Sequence, residues 1–203
     1  MLKWNMSNNN QFHKLKPLLK KTLFRASEAR ELGISSSLIN YYIKKGMIER
    51  VDRGVYRCSD QELDVDFRYE DLVLVSKSIP NGVICLISAL TLYELTDEIP
   101  RAHWIAVSHS SRAPRRSGAR IVRMRNIDLG KTELALGSEK VQIFDVERTI
   151  LDSFRYLGVE IGVKALKAAL ARSGKDKLDL KKLQKYAKEL RVKIAPYIMA
   201  VTT

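Results

Sequence analysis

Three glycines, Gly33, Gly46 and Gly54, cut residues 26–57 into pieces short enough to leave room only for two compact helices and a hairpin. The stretch ASEAREL ends at Gly33, a natural left-handed helix stop. Ile34 then precedes SSSLINYYIKK, with Ser35 or Ser36 as N-cap and Gly46 as the next stop. The segment MIERVDRGVYR comes next as strand, tight turn and strand. Ile48 and Val51 lead in, Asp52-Arg53-Gly54 turns, and Val55-Tyr56-Arg57 leads out. Upstream, NQFHKLKPLLKK sets Phe12, Leu15, Leu18 and Leu19 at helical spacing. Pro17 belongs either to the first turn of a shorter helix or to a break. The order helix, helix, few-residue turn, helix, hairpin is that of a helix-turn-helix with a wing after its third helix.

The third helix of this set divides cleanly into two faces. Ile39, Tyr42 and Ile43 form a buried stripe, which leaves Ser36, Ser37, Asn40, Tyr41 and Lys44 facing outward. An amide can read adenine in the major groove, a serine can reach bases or phosphates, and lysine or tyrosine can grip the backbone. Lys45 extends the basic end of that helix, and Arg50, Arg53 and Arg57 surround the hairpin. They are placed to hold flanking phosphates or enter a minor groove. A three-helix unit with a solvated polar face is the plainer alternative.

Charge separates the same segment from the rest of the chain. Residues 1–58 carry 12 basic and 4 acidic side chains, a net charge of +8. Residues 59–157 have a net charge of −2 and residues 158–203 a net charge of +7. The run SDQELDVDFRYED, with Asp60, Glu62, Asp64, Asp66, Glu70 and Asp71, marks a boundary near residue 60. A basic first unit suits nucleic acid as a partner. The expected domains are 1–60, a winged helix-turn-helix, and 61–203, a mixed α/β domain with a small sheet flanked by helices. The fold class is α+β. In the second domain, helices are expected from about Asp66 to Lys77 and Ile84 to Leu95. Strands are expected around Trp104–Val107 and Arg120–Arg125, and in a hairpin through Gly137-Ser138. A helix capped by Asp145 then puts Val146, Ile150, Phe154 and Leu157 on one face, with Arg148 and Asp152 pairing on its surface. Two more helices close the chain. The first buries Val163, Leu166 and Leu170, and the second Leu180, Leu183, Ala187 and Leu190.

Several classes drop out. The longest uncharged stretch, Ser78 to Tyr93, contains Pro80, Asn81 and Gly82, so no membrane span is expected. The N-terminal residues lack the apolar run of a secretory signal. Cys58 and Cys85 are too few for a disulfide framework, which suits reduced thiols in a cytoplasmic protein. His13, His103 and His109 make no metal spacing, and neither GxSxG nor a phosphate-binding loop is present. Gly137-Ser138 followed by Asp145-x-Glu147 imitates a nucleotidyltransferase, but these carboxylates open a helix and the Gly-Ser sits in a turn. Asp179-Leu180-Lys181 has nuclease spacing but also begins a helix. No enzyme activity and no cofactor are expected.

One loop stands out. SHSSRAPRRSGARIVRMR holds Arg112, Arg115, Arg116, Arg120, Arg123 and Arg125 with no acid between them. Arginine is preferred where phosphates are gripped bidentately. The surface expected to meet a partner or nucleic acid comprises Arg112, Arg115, Arg116, Arg120, Arg123 and Arg148. Lys181, Lys182, Lys185 and Lys188 form a lysine face on the last long helix that fits either a contact or ordinary solvation.

Taken together, FRASEARELGISSSLINYYIKKGMIERVDRGVYR, LISALTLYEL, HWIAVSHSSRAPRR and VERTILDSFR resemble the AbiEi family of type IV toxin–antitoxin antitoxins. Val146 stands where that family usually has Pro, and Arg25 where it commonly has a Ser, Thr or Asp helix start. The resemblance implies a DNA-binding antitoxin whose winged helix represses its own operon at an upstream operator. It also implies a C-terminal domain that counters a nucleotidyltransferase-like toxin without a stable complex. The alternative is a stand-alone winged-helix regulator whose second domain senses a ligand or partner.

Overall fold

A computed structural model of the protein describes residues 13–18, 20–21, 23–59, 64–112, 116–174 and 177–202. The chain divides into two compact units, Met1–Ser78 with Ala135–Lys140, and Ile79–Leu134 with Val141–Thr203. The acidic boundary expected near residue 60 falls on residues 60–63, outside the described ones.

The first unit contains α1 (13–18), β1 (Phe24–Arg25), α2 (Ala26–Glu31), α3 (Ser36–Lys44), β2 (Ile48–Asp52), β3 (Val55–Cys58) and α4 (Phe67–Ser78). Pro17 lies among the described helical residues 13–18. The three strands form an antiparallel sheet in the order β1-β3-β2. Leu15, Leu18, Phe24, Ala29, Ile34, Ile39, Tyr42 and Ile48 make one buried core. Helix α4 packs beside β2 and β3, so it groups with this unit rather than with the residues after it. It is tied there by Arg25, whose Nε donates to the Lys77 carbonyl at 2.5 Å. Lys77 in turn pairs with buried Glu139 at 3.0 Å.

Both helix stops read from the glycines take the same form. Gly33, at φ +76°, donates to the Arg30 carbonyl while Ile34 donates to the Ala29 carbonyl, each at 2.9 Å. Gly46, at φ +68°, repeats the pattern with Ile43 and Tyr42. These paired bonds satisfy the last orphan carbonyls of α2 and α3. Ser35 caps α3 by accepting from the Leu38 amide. At the start of α2, Arg25 supplies no such side chain. Its backbone N–H instead donates to Glu28 Oε2 at 2.7 Å, the return half of a capping box.

The second unit holds helices α5 to α9 and most of a five-stranded mixed sheet in the order β6-β5-β4-β8-β7, whose residues Ala135–Lys140 count with the first unit. The strands are β4 (Val83–Ile84), β5 (His103–Ser108), β6 (Ala119–Met124), β7 (Lys131–Leu136) and β8 (Glu139–Phe144). The helices are α5 (Leu86–Leu92), α6 (Val146–Tyr156), α7 (Val159–Leu170), α8 (Leu180–Leu190) and α9 (Ala195–Thr202). Leu90, Ile150, Leu151, Leu166 and Leu183 belong to the main helical core. Gly162 lets α7 approach α6 closely, since a Cβ there would lie 2.7 Å from the Phe154 ring.

Leu180, expected to be buried on its helix, is exposed at the first position of α8. Three further expectations are corrected. Ile84 is not the start of a helix but the end of the central strand, in register with Ile105 on one side and Ile143 on the other. A short apolar run gives no periodicity to separate strand from helix. Helix α9 lies beyond the two closing helices expected, because APYIMAVT is apolar on nearly every side and shows no polar stripe. The third correction concerns Arg148 and Asp152, which do pair but in the interior, at 0% and 1% side-chain exposure. Arg148 Nε donates to Asp152 Oδ2 at 2.7 Å, and its Nη1 donates to the carbonyls of Asn126 and Leu129 at 3.0 and 3.1 Å. Its guanidinium also lies 4.6 Å from the Phe144 ring centroid. The pair therefore ties α6 to the β6–β7 connection, and Arg148 cannot belong to an outer surface.

A buried charge left without its partner costs far more than an exposed pair contributes. Arg148→Met should lower unfolding stability by about 3–5 kcal/mol. The double change Arg148→Met with Asp152→Leu should recover part of that loss in denaturant titrations. Equal loss in both proteins would mean the ion pair is not what the interior requires. At α2, burial pushes the Glu28 carboxyl up, but the Lys21 hydrogen bond and the Arg25 amide outweigh it and hold it below the ordinary 4.5. A lowered carboxylate stabilises the fold above its unfolded value and loses that contribution as pH falls through the folded one. Glu28→Ala should cost about 1 kcal/mol at neutral pH. The difference from wild type should shrink below pH 4.5.

Candidate nucleic-acid interface

The exposed side of α3 is set by its buried one. Ile39 and Tyr42 are 2% exposed and fix the inward face. Ser36, Ser37, Asn40, Tyr41 and Lys44 are all exposed, with Lys45 beside them at the C-cap. Ser37, Asn40, Tyr41 and Lys44 are spaced i, i+3, i+4, i+7 and line one stripe. Ser35 Oγ and Ser37 Oγ lie 2.8 Å apart, and the Lys45 ammonium sits 5.7 Å from the Tyr41 ring centroid. The stripe offers hydroxyls, an amide, a half-open ring and an ammonium, all on one rigid helix.

The hairpin arginines separate by their partners. Arg53 is exposed at the turn, where Asp52 Oδ1 accepts its backbone N–H at 2.6 Å. Gly54, at φ +78°, completes the reversal, and its carbonyl accepts from Ala26 N at 2.9 Å, anchoring the turn to the start of α2. Arg50 is exposed, with Nε 3.4 Å from the Asp52 carbonyl oxygen. Arg57 is only half-exposed and ion-paired with Glu49 across the β2–β3 ladder. It must leave an ion pair to reach a phosphate, whereas Arg50 and Arg53 need not. Sequence spacing could not reveal this, because the cross-strand register sets it. Arg30 is also exposed, in the last turn of α2, and is not among the residues that the sequence picks out.

The basic residues of the second unit fall into different settings. Arg112, Arg120, Arg123 and Arg125 are exposed and Arg116 is half-exposed, while Arg115 lies outside the described residues. Arg120 and Arg123 project from β6, an edge strand. Arg120 lies directly opposite Trp104 on β5, its guanidinium 3.9 Å from the ring centroid. Lys181, Lys185 and Lys188 are exposed on α8. Lys182 instead pairs with Asp145 at 3.1 Å and Glu147 at 2.9 Å. Burial alone would lower its pKa, but those two carboxylates raise it. Asp145 also accepts from the Arg148 amide as the α6 N-cap, so the Asp145-x-Glu147 pair braces α6 against α8. Tyr93 is pushed up to about 12 by burial and then by Asp145 and Glu147. It lines an open cleft of about 540 Å³ with Leu92, Glu94, Leu134 and Arg172. Among the described residues no group of three or more His, Cys, Asp or Glu could hold a metal ion. No described helix is long and apolar enough to cross a membrane.

Residues 13–58, from α1 through β3, match a family model described as transcriptional regulator, AbiEi antitoxin. No curated protein matches the chain.

If the outer stripe of α3 serves contact rather than folding, its residues should be dispensable for stability. Asn40→Ala and Lys44→Ala should stay within about 0.5 kcal/mol of wild type in thermal or denaturant unfolding. Ile39→Ala should cost about 2–5 kcal/mol. A loss above about 1 kcal/mol at Asn40 would show that the stripe is structural.

Proposed function

We propose that this chain, whose residues 13–58 match the AbiEi antitoxin family of transcriptional regulators, is a DNA-binding antitoxin that represses its own operon and counters a nucleotidyltransferase-like toxin. The carrying observation is the α2–turn–α3 unit, with its outward Ser37, Asn40, Tyr41 and Lys44 stripe, followed at once by the Arg53 hairpin. We read α2 and α3 as a helix-turn-helix and β2–β3 as its wing. Asn40 contacts base edges, Lys44, Lys45 and the Tyr41 hydroxyl hold the strand backbone, the Tyr41 ring lies beside the bases, and Ser36 and Ser37 reach either. Arg50, Arg53 and Arg57 engage the flanking duplex through the wing. The expected partner is double-stranded operator DNA upstream of the operon.

The role against the toxin belongs to the second unit. Its support is exposed Arg120 and Arg123 on the edge strand β6, with exposed Arg112 and half-exposed Arg116 in the connection before it and Arg115 next to Arg116 in sequence. Arginine at an open strand edge suits a phosphate-bearing or acidic partner. A second reading, a stand-alone regulator with a ligand-sensing second unit, draws on the cleft lined by Tyr93 and Arg172.

Repression and protection should be separable. Changing Asn40, Tyr41 and Lys44 to Ala should abolish repression of a reporter while preserving growth against the induced toxin, at matched protein levels. Arg115→Glu with Arg116→Glu should do the reverse. Loss of protection in the α3 variant at normal abundance would mean that the toxin is controlled only through transcription. Growth protection by neither protein, wild type included, would favour the stand-alone regulator.

A further inference from the structure

We infer that the outer stripe of α3 selects A·T base pairs, with Asn40 as the adenine-reading residue and Tyr41 packed on a neighbouring thymine methyl. This rests on the reading of α3 as the helix that enters the major groove, and it assigns that helix a base preference. Guanine presents two acceptors, O6 and N7, and is best held by a long side chain with two forked donors. The stripe Ser37, Asn40, Tyr41 and Lys44 contains no arginine. Its lysines sit in the last turn and at the C-cap, Lys45 against the Tyr41 ring, where they suit phosphates beside the groove. Adenine presents an acceptor, N7, beside a donor, the N6 amino group. A carboxamide matches that pair, donating to N7 and accepting from N6.

Asn40 is the only carboxamide on the stripe, and it is exposed near the helix centre. Tyr41 is the next residue of the stripe and is 39% exposed. Its ring makes an edge contact with buried Tyr42, centroids 5.6 Å apart, and the Lys45 ammonium lies over one side, so its remaining apolar face is held in place by neighbours. An apolar face of that kind distinguishes thymine, the one base with a methyl group in the major groove. Ser37 adds little discrimination, since its hydroxyl is shared with Ser35 in the helix cap.

The test is selection of duplexes from a random library by the full chain at low salt, repeated with Asn40→Ala, whose fold is checked by circular dichroism. Wild type should enrich sites with adenine at one fixed position, and Asn40→Ala should lose preference there alone. Replacing that adenine by 7-deazaadenine should weaken wild-type binding roughly tenfold or more and leave Asn40→Ala unchanged. Enrichment of G·C at the Asn40-dependent position overturns the assignment, as does an unaltered preference in the variant. Failure of wild type to retain any duplex would instead overturn the DNA-binding reading on which the assignment rests.

Discussion

One left-handed residue sets the direction of α3. Gly33 turns the chain at φ +76°, which costs an L side chain strain and costs glycine little. The turn drops Ile34 into the core beside Ala29, Ile39 and Tyr42, and leaves Ser35 where its hydroxyl caps the next helix. Once Ile34 and Ile39 are both buried, the rotation of α3 about its axis has no freedom left. Ser37, Asn40, Tyr41 and Lys44 then point outward as a consequence of packing. Gly46 applies the same device at the other end and starts the hairpin whose turn carries Arg53.

The second unit depends on a different constraint. Arg148 is fully buried yet charged, and a charge in that setting must be paired and hydrogen-bonded or the fold fails. Asp152 and the carbonyls of Asn126 and Leu129 take the Arg148 Nε and Nη1 donors, while its buried Nη2 has no hydrogen-bond partner among the described residues, and Asp152 also accepts from Arg155 at 2.7 Å. Beyond neutralising a charge, the network fixes the connection after β6, the strand that displays Arg120 and Arg123. The basic edge is therefore held from inside the molecule.

Much of the first unit is legible in the sequence because its signals are local. Glycine stops, a serine cap and a three-residue turn act within a few positions of one another, and α2, α3, β2 and β3 fall within a residue or two of where they are expected. Where the sequence misleads, a long-range partner decides. Arg148 and Asp152 at i, i+4 look like a surface pair, and only the backbone around Asn126 to Gly130 buries them. Arg57 looks as available as Arg53 until the β2–β3 register brings Glu49 beside it. Ile84 reads as the start of a helix because nothing nearby tells of strands β5 and β8 on either side. The stacking of Arg120 on Trp104 could have been suspected from two β-rich runs, but not placed without their register.

The central claim is that α3 lies in the groove of bound DNA. A photoreactive phenylalanine analogue placed at Tyr41 tests it directly, with the same group at exposed Met199 on α9 as reference. Irradiation of the full chain on a bound duplex should join position 41 to a base, and position 199 should give no such product. Retained binding with no crosslink from position 41 would contradict the claim.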